Sequence, residues 1–173
     1  MTQMSQTMTI AILAMALVSE PPGPEAGEIT QATVRSEDEE AIRTICLEII
    51  KRFNRHEGPR AADFTPDADF VNIYGMWRRG PAEIERRQRE RMDTVLRDAK
   101  LTLLDLRIRF IRPDVAIVHQ SQEASGYLDV DGKTMPPQRE LSIRVLVKDQ
   151  GRWLTTAFHN TIVRSVEPPG RAK

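Results

Sequence analysis

The chain of 173 residues is long enough to bury one hydrophobic core and too short for two domains of ordinary size. Its 40% hydrophobic and 29% charged residues are those of a globular protein, and its 25 basic and 25 acidic side chains cancel. That balance argues against a nucleic-acid partner, which selects for a basic excess, so none is expected.

Residues 8–18, Met-Thr-Ile-Ala-Ile-Leu-Ala-Met-Ala-Leu-Val, form an apolar run too short to span a bilayer but close in length to the core of a secretory signal. A basic segment before it and a clear small-residue cleavage site are both missing. The run therefore reads either as a signal or as an extension, with a cytoplasmic protein slightly favoured, and no membrane span is expected. Pro21-Pro22-Gly23-Pro24 and Gly27 then read as a linker, since such residues cannot continue a helix. Residues 1–30 are accordingly an extension, 31–166 the domain, and 167–173, with Pro168-Pro169-Gly170, a tail.

Ser36 and Glu39 have capping-box spacing, so a helix is predicted to start there. Ile42, Ile45, Cys46, Ile49, Ile50 and Phe53 recur at helical intervals until Gly58-Pro59, with Cys46 as a small core residue. A short helix is expected between Pro59 and Phe64, and a strand from Ala68 to Tyr74. Pro81 opens a second long helix whose buried stripe carries Ile84, Met92, Val95 and Leu96. Its arginines interleave with Glu83, Glu85, Glu90 and Asp93, which describes a self-compensating solvated face.

Beyond Lys100 the period changes to two, predicting strands over Leu101 to Phe110, Val115 to Gly126, Arg139 to Lys148 and Trp153 to Val163. Arg112-Pro113-Asp114, Asp131-Gly132-Lys133 and Asp149-Gln150-Gly151 supply their turns. Early helices followed by four antiparallel strands make an α+β cone, a curved antiparallel sheet covered by the N-terminal helices, and such a cone encloses a pocket.

Several motifs resemble the nuclear transport factor two-like, or SnoaL-like, superfamily with its cystatin-like α+β roll, and within it the SgcJ/EcaC family of small bacterial proteins. They are Phe53-Asn54-Arg55-His56, Thr65-Pro66-Asp67-Ala68-Asp69-Phe70-Val71-Asn72, Trp77-Arg78-Arg79-Gly80-Pro81, Arg112-Pro113-Asp114-Val115, Gly151-Arg152-Trp153 and Phe158-His159-Asn160-Thr161. The resemblance implies the fold, but that fold carries isomerases, cyclases, dehydratases and non-catalytic binding modules alike. A motif alignment with ketosteroid isomerase sets Asn72 at the catalytic base and Ile49 and Ile143 at the two oxyanion donors. None of the three can do that work.

The polar residues on the strands are Asn72, Tyr74, His119, Gln120, Glu123, Arg144, His159 and Asn160. Strict alternation puts His119 on one face with Val115 and Ile117, and His159 on one face with Trp153 and Ala157. If those faces are internal, His119 and His159 are the candidate acid/base pair. Asn72, Tyr74, Trp77, Arg144 and Asn160 are then candidate ligand contacts.

No glycine-rich dinucleotide loop, thiol pair or histidine cluster is present, so neither a cofactor nor a metal is expected. The expected partner is a hydrophobic small molecule, either transformed by acid/base chemistry of the cyclase, isomerase or dehydratase type, or simply bound. Leu154, Phe158 and Ile162, opposite in parity to His159, would form an outer apolar face that joins two copies as a homodimer.

Overall fold

A computed structural model of the chain describes residues 26–164 except 130, with side chains described from residue 33. The signal-like run 8–18, Pro21-Pro22-Gly23-Pro24 and the tail 167–173 lie outside the described residues, whereas residues 26–30, expected to close the extension as a linker, are helical. Among those described, no helix is long and apolar enough to cross a membrane.

Helix α1 (Ala26–Asn54) begins ten residues before the predicted cap. Past Pro24 only Gly27 opposes helix formation, and Ser36 therefore lies inside the helix, where Asp38 has a tertiary partner instead. The predicted apolar stripe is present. Ile42 and Cys46 pack with Ala116, Val118, Leu146 and Trp153, while Ile50 joins Met92, Leu96, Ala99, Leu101 and Tyr127. At the helix end the Asn54 side chain brackets the backbone of Leu101, donating to its carbonyl at 2.9 Å and accepting its N–H at 2.8 Å. His56 and Gly58 then turn the chain away with positive φ.

After a 3-10 turn at Ala61–Asp63 come β1 (Phe64–Val71), β2 (Trp77–Arg79), α2 (Pro81–Met92), β3 (Lys100–Arg112), β4 (Val115–Ser125), β5 (Gln138–Asp149) and β6 (Arg152–Ile162). Strand β1 starts earlier than predicted and contains Pro66. Its pairing with β6 is interrupted between Phe64 and Asp69, so the missing proline donor costs no ladder bond. The four long strands are antiparallel neighbours, as their turns indicate, and the sheet order is β2-β1-β6-β5-β4-β3 with β1 parallel to β6.

Irregularities bend this sheet around the helices. The one that matters most lies in β6, where Leu146 pairs with Thr155 and Val145 with Ala157, leaving Thr156 without a partner. One inserted residue reverses the alternation beyond it. Trp153 and Thr155 face the core before the bulge, and Phe158, Asn160 and Ile162 face inward after it.

Candidate functional site

That bulge decides which side chains enter the cone. His159 pairs with Ile143, which pairs with His119, so the three form one row on the outer surface, and both histidines are exposed. The expectation of two imidazoles in the cavity is thereby overturned. Alternation from Trp153 miscounts past Thr156, and on β4 the buried positions are Ala116, Val118, Gln120, Gln122 and Ala124 rather than the set containing His119. Ile143 lies outside as well, and so does not occupy the position the isomerase alignment implies.

The interior holds a cavity of about 90 Å³ between α1, α2 and the concave sheet face. Its apolar wall includes Ile49, Ile50, Phe53, Phe64, Phe70, Leu101 and Phe158, with the Phe70 and Phe158 rings stacked at 4.8 Å. Of the predicted contacts, Asn72, Arg144 and Asn160 line it. Asn72 also shapes the β1–β2 connection, its Oδ1 accepting the N–H groups of Tyr74 and Met76 at 3.0 Å each. Tyr74 and Trp77 lie outside the lining and are 51% and 57% exposed. Arg91 stands over the Tyr74 ring, and the Trp77 indole donates to Asp69 at 2.7 Å. Both aromatics belong to the edge hairpin that ends at Gly80, and both are exposed.

One end of the cavity is a network centred on Glu140, which has no exposed surface. Its Oε2 accepts from Gln122 at 3.0 Å and Asn160 at 3.1 Å, and its Oε1 accepts from Gln138 at 3.1 Å. Gln120 donates in turn to Gln122 at 2.6 Å. Burial, with Glu140 beside it, pushes the Tyr127 phenol well above its ordinary range, so Tyr127 stays a neutral donor. A carboxylate out of water is stable only if hydrogen-bonded, and here uncharged amides supply the bonds.

The other end is cationic. Arg144, 7% exposed, donates to Thr155 Oγ1 at 2.9 Å and lies 4.6 Å over the Phe158 ring. Burial pulls its guanidinium down from the usual arginine value, and Arg52 adds to the effect. Arg52, 5% exposed, pairs with Asp63 at 2.5 Å, while its Nε and Nη1 have no partner among the described residues. Asp63 is shared with Arg60 at 2.9 Å. The third guanidinium on the wall, the half-buried Arg91, is also pulled down by burial and stands on the other side, within electrostatic reach of Tyr74, Tyr127 and Glu140.

Glu140, Gln122, Arg52, Asp63 and Arg91 escaped the sequence reading. The signal available for the first was the alternation Glu140-Leu141-Ser142-Ile143-Arg144, whose polar members lie inside and whose apolar members lie outside. The three helical and 3-10 residues have no sequence signature, because arginines and aspartates are ordinary on solvated surfaces.

No family model matches the chain, and no curated protein matches it. Solved structures do. An uncharacterised protein with a cystatin-like fold from Caulobacter vibrioides superposes with a TM-score of 0.69 at 28% identity, covering 74% of this chain and 91% of the other. A putative scytalone dehydratase from Novosphingobium aromaticivorans gives 0.63 at 17% identity, over 82% of this chain and 99% of that one. Hexachlorocyclohexane dehydrochlorinase LinA-type3 from Novosphingobium barchaimii gives 0.63 at 13%, over 79% and 99%. This chain thus has the cystatin-like α+β fold, a class that includes proteins described as a dehydratase and a dehydrochlorinase.

Proposed function

We propose that the protein is a small-molecule pocket protein, of the SgcJ/EcaC type within its superfamily, that acts on a hydrophobic metabolite by cofactor-independent proton transfer of the dehydratase or isomerase kind. Glu140 is the proton acceptor in this reading. The observation that carries it is a fully buried carboxylate in the wall of a largely apolar cavity, held by neutral amides with no cation bonded to it. The other carboxylate lining the cavity, Asp63, is committed to Arg52 and Arg60. The amide donors fix the orientation of the carboxylate, and the apolar wall keeps water from competing for the proton of a bound carbon acid.

A second reading, binding without turnover, is favoured by the same network, since both Glu140 oxygens already accept hydrogen bonds. Native mass spectrometry of the purified chain identifies what the cavity retains. That compound is then incubated with the protein and with Glu140→Gln. Turnover by the wild type that falls at least about 100-fold in Glu140→Gln supports catalysis. Retention of the compound unchanged by both proteins supports binding alone.

We also propose that a second copy covers the outer sheet face. Leu141 and Ile143 are 42% and 38% exposed there, beside Ile117 and Val145. Arg107, Arg109, Glu123 and Arg139 surround them with charges of both signs, as a self-complementary two-fold contact requires. Of the residues expected on this face, Phe158 and Ile162 are inside because of the Thr156 bulge, and Leu154, before the bulge, is buried.

A further inference from the structure

If the cavity is a small-molecule site, as its proposed function requires, the unpaired groups of its wall describe the ligand that would complete it. Three guanidiniums, Arg52, Arg91 and Arg144, line the cavity against two carboxylates, one of which is shared with Arg60 outside it. Arg144 has a hydroxyl and a ring face as its partners and no carboxylate within ion-pair distance. Arg52 keeps two buried N–H-bearing nitrogens, Nε and Nη1, without acceptors, and Asn160 keeps a buried acceptor, Oδ1, without a donor. Leaving such groups unmatched is costly, and a guanidinium fork matches a carboxylate in particular because both are planar and bidentate.

We infer that the cavity takes a small hydroxy acid, whose carboxylate meets Arg52 and Arg144, whose apolar body lies against Phe70 and Phe158, and whose hydroxyl donates to Asn160 Oδ1 beside Glu140. The arrangement orients the molecule end to end. Its anionic group is held away from Glu140, and its hydroxyl-bearing carbon is brought toward Glu140. A dehydration or isomerisation would need that direction of binding, and a purely binding protein would use it for selectivity. Neutral sterol-like or hydrocarbon ligands would leave Arg52, Arg144 and Asn160 no better satisfied than before.

Isothermal titration of the full chain with paired probes tests this. The probes are 4-hydroxybenzoate with 4-hydroxybenzamide, mandelate with mandelamide, and 3-hydroxybutyrate with its amide. The expected result is that at least one acid binds, and does so at least about tenfold tighter than its amide, with the preference abolished in Arg144→Met. Since Arg144→Met removes a buried residue, the wild-type preference stands as a test without it. Amides that bind as tightly as their acids overturn the carboxylate assignment while leaving the pocket reading intact. Failure of both members of every pair overturns the small-molecule reading of the cavity itself. Benzoate binding as tightly as 4-hydroxybenzoate would overturn the role given to Asn160 Oδ1 alone.

Discussion

The indole of Trp153 donates to Asp38 Oδ1 at 3.0 Å, joining the last hairpin to the first helix across 115 residues of chain. Lys148 donates to the same oxygen at 2.6 Å, so the carboxylate is shared by both strands of that hairpin. Trp153 is 6% exposed, packs edge-on against Phe110 at 5.9 Å, and does not line the cavity. Trp153→Ala should therefore cost about 3 to 5 kcal/mol in urea unfolding. Trp153→Phe, which keeps most of the volume and leaves Lys148 as the remaining partner of Asp38 Oδ1, should cost about 1 to 2 kcal/mol. Ligand affinity of the folded fraction should be unchanged in both. Weakened binding at an unaltered Tm would move Trp153 to the site.

Gly126 closes β4 against the loop that leads into β3. Its φ is +73°, and a Cβ there would sit 2.1 Å from the Asp98 carbonyl oxygen, which is backbone and cannot step aside. Gly126→Ala should cost at least about 3 kcal/mol, from left-handed strain plus displacement of the loop. Gly132 and Gly151 also have positive φ but open space around them. Alanine at either should cost only about 1 kcal/mol. Equal losses at all three positions in denaturant titrations would mean that the Asp98 contact is absent in solution.

Burial pushes the Asp63 carboxyl up, but hydrogen bonds from Arg60 and Arg52 and the Arg52 charge outweigh it and hold the group below the ordinary aspartate value. The folded pKa thus lies below the unfolded one, about 3.9, so this stabilisation is fully present above that pH and is lost as pH falls through the folded value. Asp63→Asn should cost about 3 kcal/mol near neutrality, the low end for stranding a buried charge because Asp63 keeps some solvent. The gap between variant and wild type should close below about pH 4. A gap that stays constant into acid would assign the loss to packing instead of to the ion pairs.

On the outer face, Ile143 sits between His119 and His159 in the centre of the sheet. Sedimentation at micromolar concentration should show a dimer. Ile143→Glu should convert it to a monomer with unaltered far-ultraviolet dichroism, because the side chain is not part of the core. A wild-type monomer under those conditions would leave the face unpartnered.

The local structure of this protein was legible in its sequence. The helical spacing from Ile42 to Phe53, Pro81 after Gly80, and the period of two beyond Lys100 with its three turns define two helices and four antiparallel strands, because each depends on neighbours along the chain. The start of α1 was not, since a capping-box pattern also occurs where a helix merely passes through. The side of the sheet that faces the cavity was decided only by tertiary structure. Alternation sorts residues into two sets but does not say which set is inside, and the usual assignment by hydrophobicity is inverted on β5, where Glu140, Ser142 and Arg144 are internal and Leu141 and Ile143 external. On β6 the sorting itself fails, because the unpaired Thr156 exchanges the two sets midway along the strand and carries His159 out and Asn160 in. Polar residues are retained inside because a cavity, unlike a packed core, leaves room for them to meet one another. Which of them converge there depends on strands distant in sequence, which no periodicity along one strand encodes.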